Sequence, residues 1–211
     1  MEIIIGANGR FGSLLCSLLD DRICIDIDNI NELGVYIKKA DHVFLSVPVD
    51  AALNIIDSYD YNNFVEISSV KWPFKKYSGK ITSIHPLFGP MSYNRINDVI
   101  FINDISRDNS LNELNKIFKN WHFIEMTSDE HDLLMSEIMV KPYIISMMLD
   151  CKSDIKTGSY KKLLEVSEIK NKESWKVFND TLIYNPYTMN VINDLIERLN
   201  KTRDLIEHNR L

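Results

Sequence analysis

Residues 3–12 read Ile3-Ile4-Ile5-Gly6-Ala7-Asn8-Gly9-Arg10-Phe11-Gly12. Three isoleucines, a glycine-rich turn and then an amphipathic stretch predict a buried strand that runs into a tight turn and opens a helix. The frame ending at Gly12 is Ala7-x-Gly9-x-x-Gly12, with Gly6 just before it, close to the G-x-G-x-x-G phosphate fingerprint. A missing Cβ at Gly9 lets backbone approach a pyrophosphate, and one at Gly12 lets the helix pack tightly on the strand. The helix N-terminus would offer N–H groups and a positive dipole end to the anion. Glycine is otherwise scarce: seven in 211 residues, about 3% against a typical ~7%, and three of the seven lie here. A tight turn that binds nothing would use the same glycines, so the turn alone leaves both readings open.

The surrounding pattern favours the binding reading. Apolar runs predict strands over 2–5, 23–27, 42–47, 64–67, 81–84, 99–102 and 122–125, with helices over 10–19, 30–39, 51–58 and 111–120 between them. The runs are continuous more often than alternating, as in strands buried on both faces. Strand and helix in that rhythm imply an α/β fold, a doubly wound, Rossmann-like, mostly parallel sheet. The second strand ends in Asp26, seventeen positions after Gly9, where a carboxylate can accept hydrogen bonds from ribose hydroxyls and repel a 2′-phosphate. Expected cofactor contacts are therefore Gly6, Ala7, Asn8, Gly9, Arg10, Phe11, Gly12 and Asp26, joined by Ser46, Val47 and Pro48 at the end of the third strand. NAD is the expected cofactor, and Arg10, whose guanidinium could reach a phosphate, keeps NADP open.

From about Thr127 the character changes. Thr127 and Glu130 stand at capping-box spacing, an apolar stretch covers 133–149, and helical patterns follow over 160–169, 173–184 and 187–208. The expected division is a dinucleotide-binding domain at 1–126 and a smaller all-helical domain at 127–211. So small a bundle completes its core against the first domain or a second copy, and a homodimer is expected.

Composition closes off other classes. A net charge of −6 argues against a general nucleic-acid binder or an anionic-membrane anchor. No apolar run approaches the roughly 20 residues of a membrane span. The first residues lack a basic region, so they are expected to form a strand and not a signal peptide. Cys16, Cys24 and Cys151 lack CxxC spacing and are expected to be reduced thiols in a cytoplasmic protein; the five scattered histidines suggest no metal site.

In a doubly wound sheet the ligand lies beyond the C-terminal strand ends. Ser68-Ser69-Val70-Lys71 follows the fourth strand, and His85-Pro86-Leu87-Phe88-Gly89-Pro90 ends the fifth. A histidine there suits proton removal from a hydroxyl, although a surface histidine before a proline reads the same way. The blocks Gly9-Arg10-Phe11-Gly12, Ser46-Val47-Pro48-Val49, Ser69-Val70-Lys71, His85-Pro86-Leu87-Phe88-Gly89-Pro90 and Glu130-His131-Asp132 come in the order of one enzyme family. The chain resembles the prephenate/arogenate dehydrogenases of tyrosine biosynthesis over residues 3 to about 135, and more loosely beyond.

That resemblance implies oxidative decarboxylation of prephenate to 4-hydroxyphenylpyruvate, or of arogenate to tyrosine, with NAD(P). It makes His85 the catalytic base for the ring hydroxyl and Ser69 a second contact to that hydroxyl. It also implies a dimerising helical domain. Substrate contacts are expected from Lys71, Asp132, Tyr143, Lys161 and Lys162. The family's substrate-carboxylate arginine would fall near Glu165, where the chain reads Tyr160-Lys161-Lys162-Leu163-Leu164-Glu165. An acid there suits arogenate, which carries an amino group, better than prephenate. Alternative readings are a related hydroxyacid or imine oxidoreductase, or a dinucleotide-binding regulator without turnover.

Overall fold

The computed structural model describes residues 1–93, 95–172 and 174–208. The chain divides into two compact units, Met1–His131 and Asp132–Leu211, the break falling a few residues past the expected boundary at 126. The first unit is built on one sheet of β1 (Glu2–Ile5), β2 (Arg22–Ile25), β3 (His42–Leu45), β4 (Phe64–Glu66), β5 (Thr82–Pro86), β6 (Asp98–Ile102) and β7 (His122–Met126). These are the seven apolar runs, and they pair in the order β2-β1-β3-β4-β5-β6-β7. Every neighbouring pair is parallel except β5 with β6. The chain leaves β1 for β2 on one side and returns to β3 on the other. The crevice between β1 and β3 is thus the topological switch point, where such sheets bind ligands.

Around the sheet lie α1 (Arg10–Leu18), α2 (Leu33–Tyr36), α3 (Val49–Ser58) and α4 (Ser110–Ile117). Ile4, Leu15, Phe44, Val65, Ile84, Leu114, Phe118 and Trp121 form one core, with Trp121 stacked on Phe118 at 3.7 Å between ring centroids. Each such side chain stabilises the fold by about 1.5–3 kcal/mol relative to exposure.

The helix expected over 30–39 is broken into a 3₁₀ segment Ile27–Glu32, α2, and a 3₁₀ turn Ile37–Lys39. Asp26 and Asn29 cap one another's backbone N–H groups, and Asn29 leaves helical geometry at φ −128°. Short polar side chains that bond their own backbone compete with the helical ladder. A third 3₁₀ segment, Trp72–Tyr77, has Pro73 in its first turn and was not legible as an element. Cys16 on α1 and Cys24 on β2 are joined as a disulfide, with Cα atoms 6.6 Å apart, where reduced thiols were expected; Cys151 is free. A helix packed beside its next strand brings together cysteines that no CxxC rule would pair.

In the helical region α5 (Ser128–Met135) passes through a π-helical turn, Ser136–Val140, into α6 (Lys141–Met148). Pro142 has no N–H for the ladder, and the widened turn sits just ahead of it. At the start of α5 Glu130 accepts from the Thr127 N–H and hydroxyl, both at 2.8 Å, which is the capping box. Then come α7 (Gly158–Ser167), α8 (Ile169–Lys172), α9 (Trp175–Tyr184) and α10 (Thr188–Glu207). Glu173, where the third helical pattern was expected to begin, lies outside the described residues. The second unit leaves Met189, Ile196, Leu199 and Ile206 of α10 more than half exposed, together with Met147 and Met148 of α6. Among the described residues no helix is long and apolar enough to cross a membrane, and no cluster of His, Cys, Asp or Glu is placed to hold a metal ion.

Candidate active site

The glycine turn has the stereochemistry its sequence demands. Gly6 sits at φ +84°, a backbone region L side chains rarely adopt, and a Cβ there would strike the Ser46 carbonyl. The turn after β1 is therefore pressed against the end of β3, and Ser46 N–H donates to the Ile5 carbonyl at 2.8 Å. A Cβ on Gly12 would collide with the Gly6 carbonyl, so α1 packs directly on the turn. The helix opens at Gly9 with no side-chain cap and no acid in its first turn. No carboxylate within that first turn offsets its N-terminal dipole.

At the end of β2 the Asp26 carboxylate receives the Asn8 N–H at 2.7 Å and the Ile27 N–H at 2.8 Å. With the Asn29 N–H capped as well, the carboxylate is fixed beside the turn and keeps acceptor capacity for a further donor. Asp28 lies exposed in the following 3₁₀ segment. Arg10 is exposed at the helix start, whereas Phe11 turns inward, 5.9 Å from the Phe88 ring. Val47 and Pro48 continue from Ser46 as a half-buried turn, and Pro48 leads into α3.

A second constellation lies at the ends of β4 and β5. Register pairs Glu66 with Ser83, and Glu66 is fully buried. Its carboxylate accepts from the buried Lys71 ammonium at 2.7 Å, from the Ser68 N–H at 2.9 Å and from the Ser83 hydroxyl. Lys71 also donates to the Ile84 carbonyl at 2.7 Å. An ion pair so satisfied ties β4 and the loop after it to β5, directly before His85.

His85 itself is buried, and its Nδ1 lies 2.9 Å from Nε2 of His131, which the start of α5 supplies. Burial, then His131, then Lys71 hold the His85 pKa well below the ordinary histidine value. Burial and then Lys71 push His131 down to about 2. Both imidazoles are therefore neutral near pH 7, with Nε2 of His85 the nitrogen not engaged by His131.

The structure thus gathers Gly6–Gly12, Asp26, Ser46 and the His85 cluster along the C-terminal edge of one sheet. Ser69 is half-buried in the loop after β4. Lys71 departs from its expected role: its ammonium is turned inward onto Glu66 and Ile84, not outward to a substrate charge. In the second unit Asp132 is buried and its carbonyl accepts from Asn185 Nδ2 at 2.8 Å. Tyr143 is buried and stacked on Phe178 at 4.5 Å. Lys161 and Lys162 stand exposed on α7.

Sequence reasoning missed Glu66 and His131. The first had a signal, a lone acid within the apolar run Phe64-Val65-Glu66-Ile67. The second stood among first-turn acids that complement a helix dipole, which masked it.

No family model matches the chain. In sequence it is 26% identical over 189 residues to arogenate dehydrogenase 2, a chloroplastic protein of Arabidopsis thaliana; the match covers 77% of this chain and 52% of that protein. The chain thus spans about half the length of the curated relative it matches. Prephenate dehydrogenase from Aquifex aeolicus, crystallised with hydroxyphenyl propionate and NAD+, shares its fold at a TM-score of 0.69 and 15% identity, over 99% of this chain and 91% of the other. The arogenate dehydrogenase of Synechocystis gives 0.67 at 15% identity, over 100% and 93%. The fold is that of the prephenate and arogenate dehydrogenases. The resemblance read from the motifs therefore holds both in sequence and in fold.

Proposed function

We propose that the chain is a nicotinamide-dinucleotide-dependent dehydrogenase that oxidatively decarboxylates prephenate or arogenate. The observation that carries this reading is a buried, neutral histidine at the mouth of a sheet whose first turn is shaped for a dinucleotide. Gly6, Ala7, Asn8 and Gly9 with the start of α1 would hold the pyrophosphate, and Asp26 would accept from the ribose hydroxyls. The bound coenzyme supplies the hydride acceptor. The chain's own part is to take the proton of the ring hydroxyl at His85 Nε2 while Ser69 contacts the same oxygen. Loss of CO2 makes the ring aromatic, so positioning and proton removal are what the protein must provide.

Asp26 favours NAD over NADP, since its carboxylate would repel a 2′-phosphate. Replacing Asp26 with Asn is expected to weaken NAD and improve NADP relative to it by about tenfold, roughly one charge-assisted hydrogen bond, read from the two dissociation constants. Among the substrates, the acid at Glu165 and the absence of an arginine over 158–172 favour arogenate. Lys161 and Lys162, as point charges, lack the fork that grips a carboxylate in two places. The exposed apolar residues of α6 and α10 are suited to pairing with a second copy, which makes the working form a homodimer.

The deciding experiment follows coenzyme reduction with prephenate and with arogenate, each with NAD and NADP. Turnover of either substrate, with arogenate preferred, is the expected result. Tight coenzyme binding with no turnover on either would favour a dinucleotide-binding regulator instead.

A further inference from the structure

A hydrogen bond between two neutral imidazoles contains one proton, and its ownership decides what the rest of each ring can do. If His85 holds it, Nδ1–H donates to His131 Nε2, and His85 Nε2 keeps a bare lone pair. If His131 holds it, His85 carries its own proton on Nε2 and can only donate there. The structure fixes the pair tightly enough for this choice to matter: Nδ1 and Nε2 are 2.9 Å apart, the ring centroids 5.1 Å, and the planes are inclined by 67°. Both rings are buried. Flipping the His85 ring would break the bond and leave a buried polar nitrogen unpaired. Lys71, anchored on Glu66 and on the Ile84 carbonyl, holds the backbone at His85 while His131 holds the ring.

We propose that His131 is a positioning residue that accepts the Nδ1–H of His85 and so keeps His85 in the tautomer whose Nε2 can take a proton from a substrate hydroxyl. This rests on the dehydrogenase reading for its purpose, but not for its geometry. His131 does not touch the reacting atoms; it sets the protonation of the residue that does, as the partner of a catalytic imidazole commonly does.

The test reads the tautomer directly from the imidazole nitrogen resonances of the full chain labelled with 15N-histidine, with His85 assigned by comparison with His85→Asn. The expected wild-type spectrum shows His85 protonated at Nδ1 and bare at Nε2. His131→Gln places an amide oxygen within reach of the same proton and should preserve that tautomer. His131→Leu removes the acceptor and should convert His85 wholly or partly to the Nε2–H form. In steady state His131→Leu should lower kcat by about 10²-fold, the scale of one misaligned general base. Coenzyme affinity should stay unchanged, and His131→Gln should recover most of the loss. A wild-type His85 protonated at Nε2 would overturn the proposal, as would a tautomer that survives His131→Leu. The spectra need no substrate. If wild type turns over neither prephenate nor arogenate, the dehydrogenase reading fails while the tautomer still decides the role of His131.

Discussion

Two buried histidines stand at opposite ends of the same sheet, and their neighbours give them opposite characters. His42 begins β3, in register with Glu2 of β1, and its ring nitrogens lie 3.1 Å from Glu2 Oε2 and 3.1 Å from Glu113 Oε2. Arg107 pairs with the same Glu113 carboxylate. Burial alone would lower the His42 pKa, but the two carboxylates outweigh it and raise it. His85, at the C-terminal end of β5, has a lysine and a second histidine for neighbours and is held neutral. At the N-terminal end the sheet sets an imidazole between two carboxylates that favour its charged form, tying a strand to a helix. At the C-terminal end it keeps an imidazole free of charge. Burial disfavours the charged form of both rings, and only His42 has carboxylates beside it to outweigh that.

Substitution at the two histidines should separate the roles most sharply. His85→Asn is expected to reduce kcat by about 10³-fold, within the range for a lost general base, with coenzyme binding intact. His42→Asn should leave kcat within about twofold, since His42 stands at the sheet's other end and its loss acts on stability alone. Steady-state kinetics beside coenzyme titration measure both; equal losses at the two positions would erase the contrast.

The next largest effect concerns the ion pair beneath His85. Lys71→Met leaves Glu66 buried and unpaired and should cost about 3–5 kcal/mol of stability in denaturant unfolding. Changing Glu66 to Met as well should recover much of that loss. A Lys71→Met variant of wild-type stability would show that the pair does not hold the end of β5.

The smallest effect lies at His42. A raised folded-state pKa means that its contribution is fully present below the unfolded value near 6.5 and fades as pH rises through the folded value. His42→Gln should therefore cost about 1 kcal/mol or more at pH 6, the scale of a charge-assisted hydrogen bond, and distinctly less at pH 8.5. Unfolding curves at the two pH values check the sign.

The first unit was legible because its signals are local. Continuous apolar runs mark strands buried on both faces, and Gly6, Gly9 and Gly12 mark the turn that opens α1. The runs could not show that β6 enters antiparallel, because direction leaves no mark on composition. What escaped reading depends on contacts across distance: His131 meets His85 from 46 positions away. Lys71 read as a substrate contact until Glu66, hidden in an apolar strand, gave it a buried partner. Cys16 and Cys24 meet only because α1 packs beside β2. In the second unit amphipathic spacing gave the helices. Chemical roles did not follow, since a lysine on an exposed helix face, such as Lys161, looks the same whether or not it meets a ligand.

The dependence of kcat/KM on pH tests the central claim most directly, because it reports the protonation of the free enzyme's base. With His85 held neutral by burial, His131 and Lys71, the profile for the preferred substrate should stay level from pH 8 downward. It should fall only below the ordinary histidine value of about 6.5. An acid limb at or above that value would show that the proton acceptor is not the buried histidine at the end of β5.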